Sequence, residues 1–545
     1  MKTTDILGLI VLAALLLVTL PARAADTAGC TKEQLLAFSP KPDEVKAHRQ
    51  FPLPYISYPF GTQMPEWGFN MLVRIDESGR VVCYQISDRF RDEPLPLNEQ
   101  RRTQIRALKD WRYTPFTRNG QPMASIVAEF VNERELPERH VPLPNVSLET
   151  VTISLERQGC FGSCPGYKVT VRGNGRATYE GHGDVDVLGT HHYRVQSQVI
   201  AELIERVRAS DLWSLRSSYR AGITDNPTYI LAIKLGEQEH QLEDYVGQMA
   251  GMPSTISDLE DEVDKAAGAE GWIHLSEAAL AVLKAEHFNF ASPAATDLLA
   301  RAVRNEETHD DGAMLHLISL GVAIEGARLS AGFRSQQNTL IDEALNNRRA
   351  ILIDPLIAKG ALSTDDKPDQ HKIDSAFRAS ISGGSLALVQ KLWTISADEP
   401  HPSLTFNDVS DDQKPVHKRV PVTLLLSHRY KKGPWDGLAI AKWLIAQGCD
   451  MKASKADGTT LLHIATQSGD IEFVRYLLKQ GFNASTPGKY ALPALGSAED
   501  EDIALLLLQA GTDMTKMNGS GNSFHRFAED NHWGRVIEWL KSHGQ

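Results

Sequence analysis

Residues 457–481 read DGTTLLHIATQSGDIEFVRYLLKQG, and this stretch decides the fold of the C-terminal half of the chain. Val474, Leu477 and Leu478 recur at the spacing that places side chains on one face of a helix. Glycines follow helices of this kind, 33 and then 30 residues apart, at Gly448, Gly481 and Gly511. A glycine there permits the left-handed conformation that ends a helix. The pattern predicts helical hairpins that repeat along the chain.

Residues 457–465 resemble the start of an ankyrin repeat, with Leu461 where that family usually has proline. The 33-residue spacing equals the ankyrin period. The resemblance implies that Thr460 caps the first helix and that His463 hydrogen-bonds backbone between adjacent repeats. Structural roles in the repeats are predicted for Gly448, Asp457, Gly458, Thr460, His463, Gly469, Gly481 and Gly511.

Poorer copies of the same scheme surround this repeat, so an all-α ankyrin solenoid of about seven repeats, several of them degenerate, is predicted for residues 285–545. Cys449 follows a repeat glycine and is interpreted as a packed thiol. The weaker copies lie at residues 311–321, 338–360, 377–392, 423–448 and 519–540, and an insert at 397–415 breaks the period.

Residues 51–138 have the pattern of a small α+β domain. Apolar and polar residues alternate over residues 69–76, and a returning strand is expected over 81–86. A helix is predicted over 99–110, with a third strand over 126–131. The predicted order is strand, strand, helix, strand.

This domain resembles the C-terminal domain of TonB-type energy transducers. The match lies in Tyr58-Pro59, the hairpin VRID at 73–76 with GRV at 79–81, ALKDWRYTPF at 107–116 and NGQP at 119–122. The resemblance implies a periplasmic three-stranded fold that can add a strand to a partner. A transducer carries an uncleaved anchor and a proline-rich spacer before this domain, and neither is found in residues 1–50. Transducer activity is therefore not expected.

Residues 146–268 predict a second α+β domain. Alternation over 151–155 and 167–171 indicates strands, and the latter precedes a turn at 173–175. A helix follows over 197–210, a strand over 229–235, and a closing helix carries Ile256, Leu259 and Val263. Acidic groups such as residues 260–262 and 310–311 are interpreted as solvated faces.

Residues 160–167 of this domain, CFGSCPGY, are similar to the signature C-F-G-x-C-P-x-Y of a bacterial family of unknown function. Three interpretations of Cys160 and Cys164 are open. They form a disulfide that closes a five-residue loop; they are reduced, buried thiols; or they bind a metal with His182, His191 or His192. The disulfide is the predicted state, and no metal or cofactor site is expected.

The N-terminus has the pattern of an export signal. Residues 6–20 form an apolar run, shorter than the about 20 residues of a transmembrane helix, and a small-x-small cleavage pattern follows at 22–24. A signal peptide over residues 1–24 is predicted, followed by an N-terminal segment over 25–50. The protein is therefore expected in the periplasm, with no integral membrane segment after cleavage. In an oxidising compartment Cys30 and Cys83 are a further candidate pair.

Composition narrows the possible functions. The chain has 545 residues, of which 42% are hydrophobic and 23% charged, a globular balance that excludes collagen-like, disordered and polytopic membrane proteins. Its formal net charge is −12 and no basic run offsets this, so no nucleic-acid partner is expected. The fold class is multidomain: two small α+β domains followed by an ankyrin solenoid.

The predicted function is a non-enzymatic protein-protein interaction scaffold of the bacterial cell envelope, which binds a partner on the concave face of the repeats. No catalytic motif of a hydrolase, metalloprotease or nucleotide-binding enzyme is found in the sequence. Two alternatives are open. One is an envelope enzyme or enzyme inhibitor with the Cys160–Cys164 module as its active part. The other is a transducer-like protein that docks by strand addition and requires an exposed edge strand.

Overall fold

The structure is a computed structural model, and it describes residues 29–31, 34–40, 42–51, 56–61, 69–87, 99–118, 120–131, 133–305, 310–324, 339–395, 406–407, 418–419, 424–425, 435–455, 457–517, 524–531 and 533–544. The predicted signal peptide, residues 1–24, lies outside the described residues, as does most of the predicted insert at 397–415. No helix within these ranges is long and apolar enough to cross a membrane.

The described residues form two compact units, residues 1–54 with 69–131 and residues 55–68 with 132–545. Short strands β1 and β7 pair in parallel in the second unit. Up to residue 135 the elements are α1 Pro42–His48, β1 Ile56–Tyr58, β2 Phe69–Ile75, β3 Val81–Ser87, α2 Glu99–Ala107, β4 Phe116–Arg118, β5 Gln121–Met123, β6 Ser125–Val131 and β7 Glu133–Glu135.

The first unit is built on a three-stranded antiparallel sheet in the order β3-β2-β6. Val73 and Ile75 of β2 are fully buried, as the alternating pattern predicts. Leu108, in a 3-10 turn directly after α2, is buried as well, and Trp111 stacks on Phe51 with ring centroids 4.4 Å apart. These elements follow the order strand, strand, helix, strand.

The N-terminal segment reaches both edges of this sheet. A disulfide joins Cys30 to Cys83 of β3, and the Cys30 N–H donates to Tyr84 O at 3.1 Å. At the other edge, the Ile126 N–H of β6 donates to Phe38 O at 2.8 Å. Each edge therefore already has a backbone partner at one position.

The middle domain contains a seven-stranded sheet in the order β11-β10-β9-β8-β13-β14-β12, antiparallel except for the parallel pair β14-β12. Helices α3 and α4 pack together, and α4 lies against β8 and β9. The elements are β8 Val151–Arg157, β9 Gly166–Arg172, β10 Arg176–Gly183, β11 Gly189–Arg194, α3 Ser197–Ala209, β12 Ser218–Arg220, β13 Tyr229–Leu235, β14 Gln238–Tyr245 and α4 Ser254–Ala267.

A buried ionic group holds α4 to the sheet. Arg157 of β8 donates through Nε to Asp264 Oδ2 at 2.7 Å and lies over the Tyr229 ring. Glu260 is only 1% exposed and faces Asp244 of β14. The prediction of a solvated acidic face at residues 260–262 is therefore wrong for Glu260, because its position on the helix turns it toward the sheet.

Burial raises the pKa of Glu260 from 4.5 to about 9, and the neighbouring Asp244 carboxylate adds to the shift. The folded domain therefore holds Glu260 protonated at neutral pH, whereas the unfolded chain releases this proton near pH 4.5. Stability from this group is fully present below pH 4.5 and declines as the pH rises towards 9.

We predict that Glu260→Gln stabilises the protein at pH 8, by about 1 to 3 kcal/mol, because the amide keeps a donor for Asp244 without the cost of protonating a carboxylate on folding at that pH. Urea unfolding at pH 5 and pH 8 measures the change. The matched control is Glu262→Gln, which alters a half-exposed neighbour beside Arg206. Equal effects of the two variants at pH 8 would contradict the prediction.

The C-terminal region is helical. Two small hairpins, β15 with β16 and β17 with β18, interrupt the helices. The described elements are α5 Glu270–Ile273, α6 Glu277–Ala285, α7 Pro293–Arg304, α8 Asp311–Ser319, α9 Leu340–Asn346, α10 Ala350–Ala358, β15 Ser363–Thr364, β16 Lys367–Pro368, α11 Gln370–Gly383, α12 Leu386–Ile395, β17 Phe406–Asn407, β18 Lys418–Arg419, α13 Gly437–Ala446, α14 Leu461–Gln467, α15 Ile471–Lys479, α16 Glu501–Gln509, α17 Phe524–Asp530 and α18 Gly534–Ser542.

Asp186 joins the middle domain to the first of these helices. It lies between β10 and β11 and is 1% exposed. Its carboxylate accepts hydrogen bonds from the Leu275 N–H at 2.7 Å and from Asn305 Nδ2 at 3.2 Å. Its backbone carbonyl accepts from Arg301 Nε at 2.8 Å. One buried side chain therefore bonds to both ends of the segment that contains α6 and α7.

We predict that Asp186→Ala loosens this junction by about 2 to 4 kcal/mol, since it leaves a buried N–H without its acceptor. Hydrogen exchange of peptides from residues 270–305 measures the loss of protection. Asp258→Ala, at an exposed position of α4, is the control and should leave these peptides unchanged. Unchanged protection in Asp186→Ala would show that packing alone holds the junction.

Candidate protein-interaction surface

The hairpin of α14 and α15 is fixed at its start by Thr460 and His463. The Thr460 N–H donates to His463 Nδ1 at 3.3 Å, and the Thr460 hydroxyl lies 2.9 Å from the same nitrogen. On its other side, His463 Nε2 lies 3.2 Å from Leu492 O in the next repeat. One imidazole therefore fastens a helix start to the neighbouring repeat.

These contacts assign the neutral Nε2–H form to His463, because Nδ1 must accept from Thr460 while Nε2 donates to Leu492 O. Burial lowers the pKa of His463, although the Leu492 carbonyl and Asp457 oppose the shift. The side chain is 6% exposed. This geometry gives His463 a structural role, which is the role implied by the resemblance to ankyrin repeats.

Asp457 and the repeat glycines shape the turns. Asp457 Oδ1 accepts the Thr459 N–H at 3.0 Å. Partial burial acts to raise the pKa of Asp457. The hydrogen bonds from Thr459 act in the opposite direction, and the pKa is lowered. A Cβ at Gly458 would lie 3.1 Å from Pro487 O, so close packing adds to the conformational need for glycine there. Positive φ angles, between 73° and 97°, occur at Gly448, Gly458, Gly469, Gly481 and Gly511.

The segment predicted to be a degenerate repeat near residue 340 uses a carboxylate where the best repeat uses the imidazole. The Thr339 N–H donates to Asp342 Oδ2 at 3.0 Å, and the Asp342 N–H donates to Thr339 Oγ1 at 3.3 Å. Ser375 of α11 donates to the same Asp342 oxygen at 3.0 Å. Burial raises the pKa of Asp342, and its hydrogen bonds to Thr339 oppose the shift. Both repeats therefore fasten a capping threonine to the next repeat through the third helical residue.

Tyr490 projects from the turn between two repeats. It lies 33 residues after Asp457, at the corresponding tip, and it is 80% exposed. Tyr490 and Ala491 have φ angles of 60° and 59°, which are uncommon for residues other than glycine. The turn is closed by the Gly488 N–H donating to Leu492 O at 2.8 Å. A rigid turn therefore holds an aromatic ring in solvent.

The disulfide loop of the middle domain presents a second exposed ring. Cys160 and Cys164 are joined in a disulfide with Cα atoms 5.4 Å apart. Phe161, inside this loop, is 84% exposed. The metal alternative for these cysteines is wrong, because the disulfide consumes both thiolates.

Two of the three histidines of that alternative are engaged elsewhere. His191 Nδ1 lies 2.7 Å from Glu286 Oε2, and His192 Nδ1 lies 3.3 Å from the Thr178 hydroxyl. Within the described ranges, no group of three or more His, Cys, Asp or Glu side chains is arranged to hold a metal ion. Cys449 is a buried free thiol, and burial raises its pKa to about 11.

Two family models match separate parts of the chain. Residues 151–267 match the domain of unknown function DUF6438, and residues 435–518 match ankyrin repeats in three copies. Ankyrin repeats are therefore confirmed over residues 435–518, and the middle domain matches a described family of unknown function. The extent of about seven repeats over 285–545 stays a prediction. Ankyrin repeats are typically non-enzymatic protein-interaction modules, which implies a role in protein-protein interaction.

Individual proteins show the same likeness. The chain is 30% identical over 91 residues to an ankyrin repeat protein of fowlpox virus (strain NVSL), an alignment that covers 17% of this chain and 16% of the viral protein. The crystal structure of the ankyrin repeat domain of Bcl-3, of the IκB family, aligns with 43% of this chain and 91% of its own, at 15% identity and a TM-score of 0.24. The chain spans about a sixth of the length of the viral relative.

Sequence reasoning missed three residues that the structure emphasises. Asp186 lies between two valines in a loop, where no periodic signal marks it as buried. Glu260 looks like part of a solvated acidic run. Counting one repeat period forward from Asp457 leads to Tyr490. The sequence could therefore have indicated an aromatic residue at the tip of this turn.

We predict that His463→Gln destabilises its repeat by about 1 to 3 kcal/mol, because the link to Leu492 O is weakened. The wild-type repeat should also lose stability as the pH falls below the ordinary histidine value of about 6.5, since the folded state resists protonation of His463. Hydrogen exchange of peptides from 457–495 at pH 7.5 and pH 5.5 measures both effects. His371→Gln, at an exposed position of α11, is the control, and a similar acid loss in both variants would contradict the assignment.

Proposed function

We propose that this protein is an exported, non-enzymatic scaffold that binds a protein partner through the concave side of its ankyrin stack. The single observation that carries the proposal is Tyr490, an exposed aromatic ring on a closed turn between two repeats. Aromatic residues held rigidly at a surface lose little conformational entropy on binding and dominate many interfaces. Its exposure in the free protein fits a residue that a partner buries.

The proposed location is the periplasm, after removal of a signal peptide over residues 1–24. Two disulfides, Cys30–Cys83 and Cys160–Cys164, support an oxidising compartment, since such bonds are uncommon in the cytosol. We further propose that residues 51–138 are a TonB-like domain without transducer activity. The strand order β3-β2-β6 with an intervening helix supports this relation.

Neither alternative function has an observation that favours it. Strand addition at the three-stranded sheet would compete with the N-terminal segment, which is bonded to Tyr84 at one edge and Ile126 at the other. For an enzyme or inhibitor centred on Cys160 and Cys164, the disulfide loop offers an exposed phenylalanine but no neighbouring base or acid among the contacts described above. The interaction scaffold therefore remains the best-supported function.

The test uses the full-length exported protein, because Asp186 bonds the middle domain to the segment that leads into the repeats. A benzophenone amino acid in place of Tyr490 should form a crosslinked adduct of one defined mass in cells of the source organism. The same amino acid in place of Arg475, an exposed residue of α15, is the control and should form none. No adduct at position 490, or equal adducts at both positions, would contradict the proposal.

A further inference from the structure

An open groove lies beside the outermost strand of the seven-stranded sheet. Strand β11 ends the strand order, and helix α6 contacts this strand. The space between them has a volume of about 690 Å³. Its walls include His192, Arg194, Trp272, Ala278, Ala281 and Ala285.

The backbone of β11 has hydrogen-bonding groups that point into this groove. His191 and Tyr193 pair inward with Tyr179 and Ala177 of β10. The His192 N–H points the other way and donates to Glu286 Oε1 at 2.9 Å. Because successive residues of a strand alternate in direction, Arg194 presents its N–H and C=O to the same side as His192. His192 and Arg194 therefore form the outer edge of the sheet, where Glu286 occupies the His192 N–H.

The side of the groove that α6 forms carries small side chains. Ala278, Ala281 and Ala285 are exposed on α6, so only methyl groups separate its backbone from the groove. Trp272 forms a rigid floor, since its ring stacks on His191 and on Tyr179 at centroid distances of 5.1 Å. A strand adjacent to β11 could set alternate side chains against this alanine surface.

The charge at the open end of the groove is positive. Arg194 lies directly opposite Arg176 in the β10-β11 pair, and both are exposed. Like charges in this position repel each other. Arg194 donates a hydrogen bond to Asn174 O, which is an uncharged acceptor. The nearby Glu286 carboxylate is bonded to His191 Nδ1 and to the His192 N–H. An acidic ligand would therefore compensate two arginines.

We propose that this groove binds an extended, acidic peptide segment of another protein, which adds to β11 as an eighth strand. Main-chain hydrogen bonds to Arg194 and His192 supply affinity, and alternate side chains supply specificity. A peptide carbonyl takes the place of Glu286 Oε1 at the His192 N–H, so the Glu286 carboxylate turns away from β11 when the segment binds. The site is distinct from the ankyrin surface that carries Tyr490.

The test measures binding of labelled octapeptides to the full-length protein by fluorescence anisotropy. A peptide of alternating valine and glutamate should bind about tenfold more tightly than one of alternating valine and lysine, because only the former compensates the arginines. Two further acidic peptides carry N-methyl groups at the odd or at the even residues. One of these two should lose binding, since a strand presents alternate N–H groups to its neighbour.

Variants locate the binding in the groove. Ala281→Trp should abolish binding by filling the space, whereas Ala294→Trp, at an exposed position of α7, should leave it unchanged. Arg194→Glu should reverse the preference between the acidic and the lysine peptides. Lack of saturable binding, equal binding of both N-methylated peptides, or unchanged binding by Ala281→Trp would each overturn the proposal.

Discussion

A helical hairpin of the ankyrin type cannot cover its own apolar face, and this constraint governs the larger part of the molecule. Each repeat depends on a neighbour, so the first hairpin needs cover from outside the stack. Asp186 of the middle domain bonds through its carboxylate and its carbonyl to the segment that leads into the helical region. These hydrogen bonds join the domain of unknown function to Leu275, Arg301 and Asn305.

Two buried polar side chains lie at points where structural elements are joined. Asp186 and His463 are both almost fully buried. The Asp186 side chain bonds to Leu275 and Asn305, and the His463 side chain bonds to Thr460 and Leu492. A buried polar group of this kind is costly when it is unpaired, and so it favours one arrangement of its neighbours over others. Apolar contacts supply most of the stabilising free energy, while these residues fix how the hairpins and the sheet are joined.

Much of this architecture is predictable from sequence because it rests on periodicity. The 33-residue spacing of Gly448 and Gly481 predicts the hairpins, and alternation over residues 69–76 predicts strand β2. Strand β14, which reads QEHQLEDY, is not predictable in this way, because its polar sequence is stabilised by pairing with β13. Asp186 escapes prediction for a related reason, since its partners Leu275 and Asn305 lie 89 and 119 residues away in the chain.

Asp342 and His463 occupy the same helical position in two segments of the C-terminal region. This difference in residue type affects how stability in the two segments depends on pH. A buried carboxyl favours its neutral form, so the stability that Asp342 contributes near α9 is complete below its ordinary pKa of 3.8 and declines as the pH rises above it. A buried imidazole also favours its neutral form, so the stability that His463 contributes near α14 declines as the pH falls below its ordinary pKa of 6.5. These two contacts at the same repeat position therefore respond to acid in opposite directions, because acidification favours the folded state at Asp342 and disfavours it at His463.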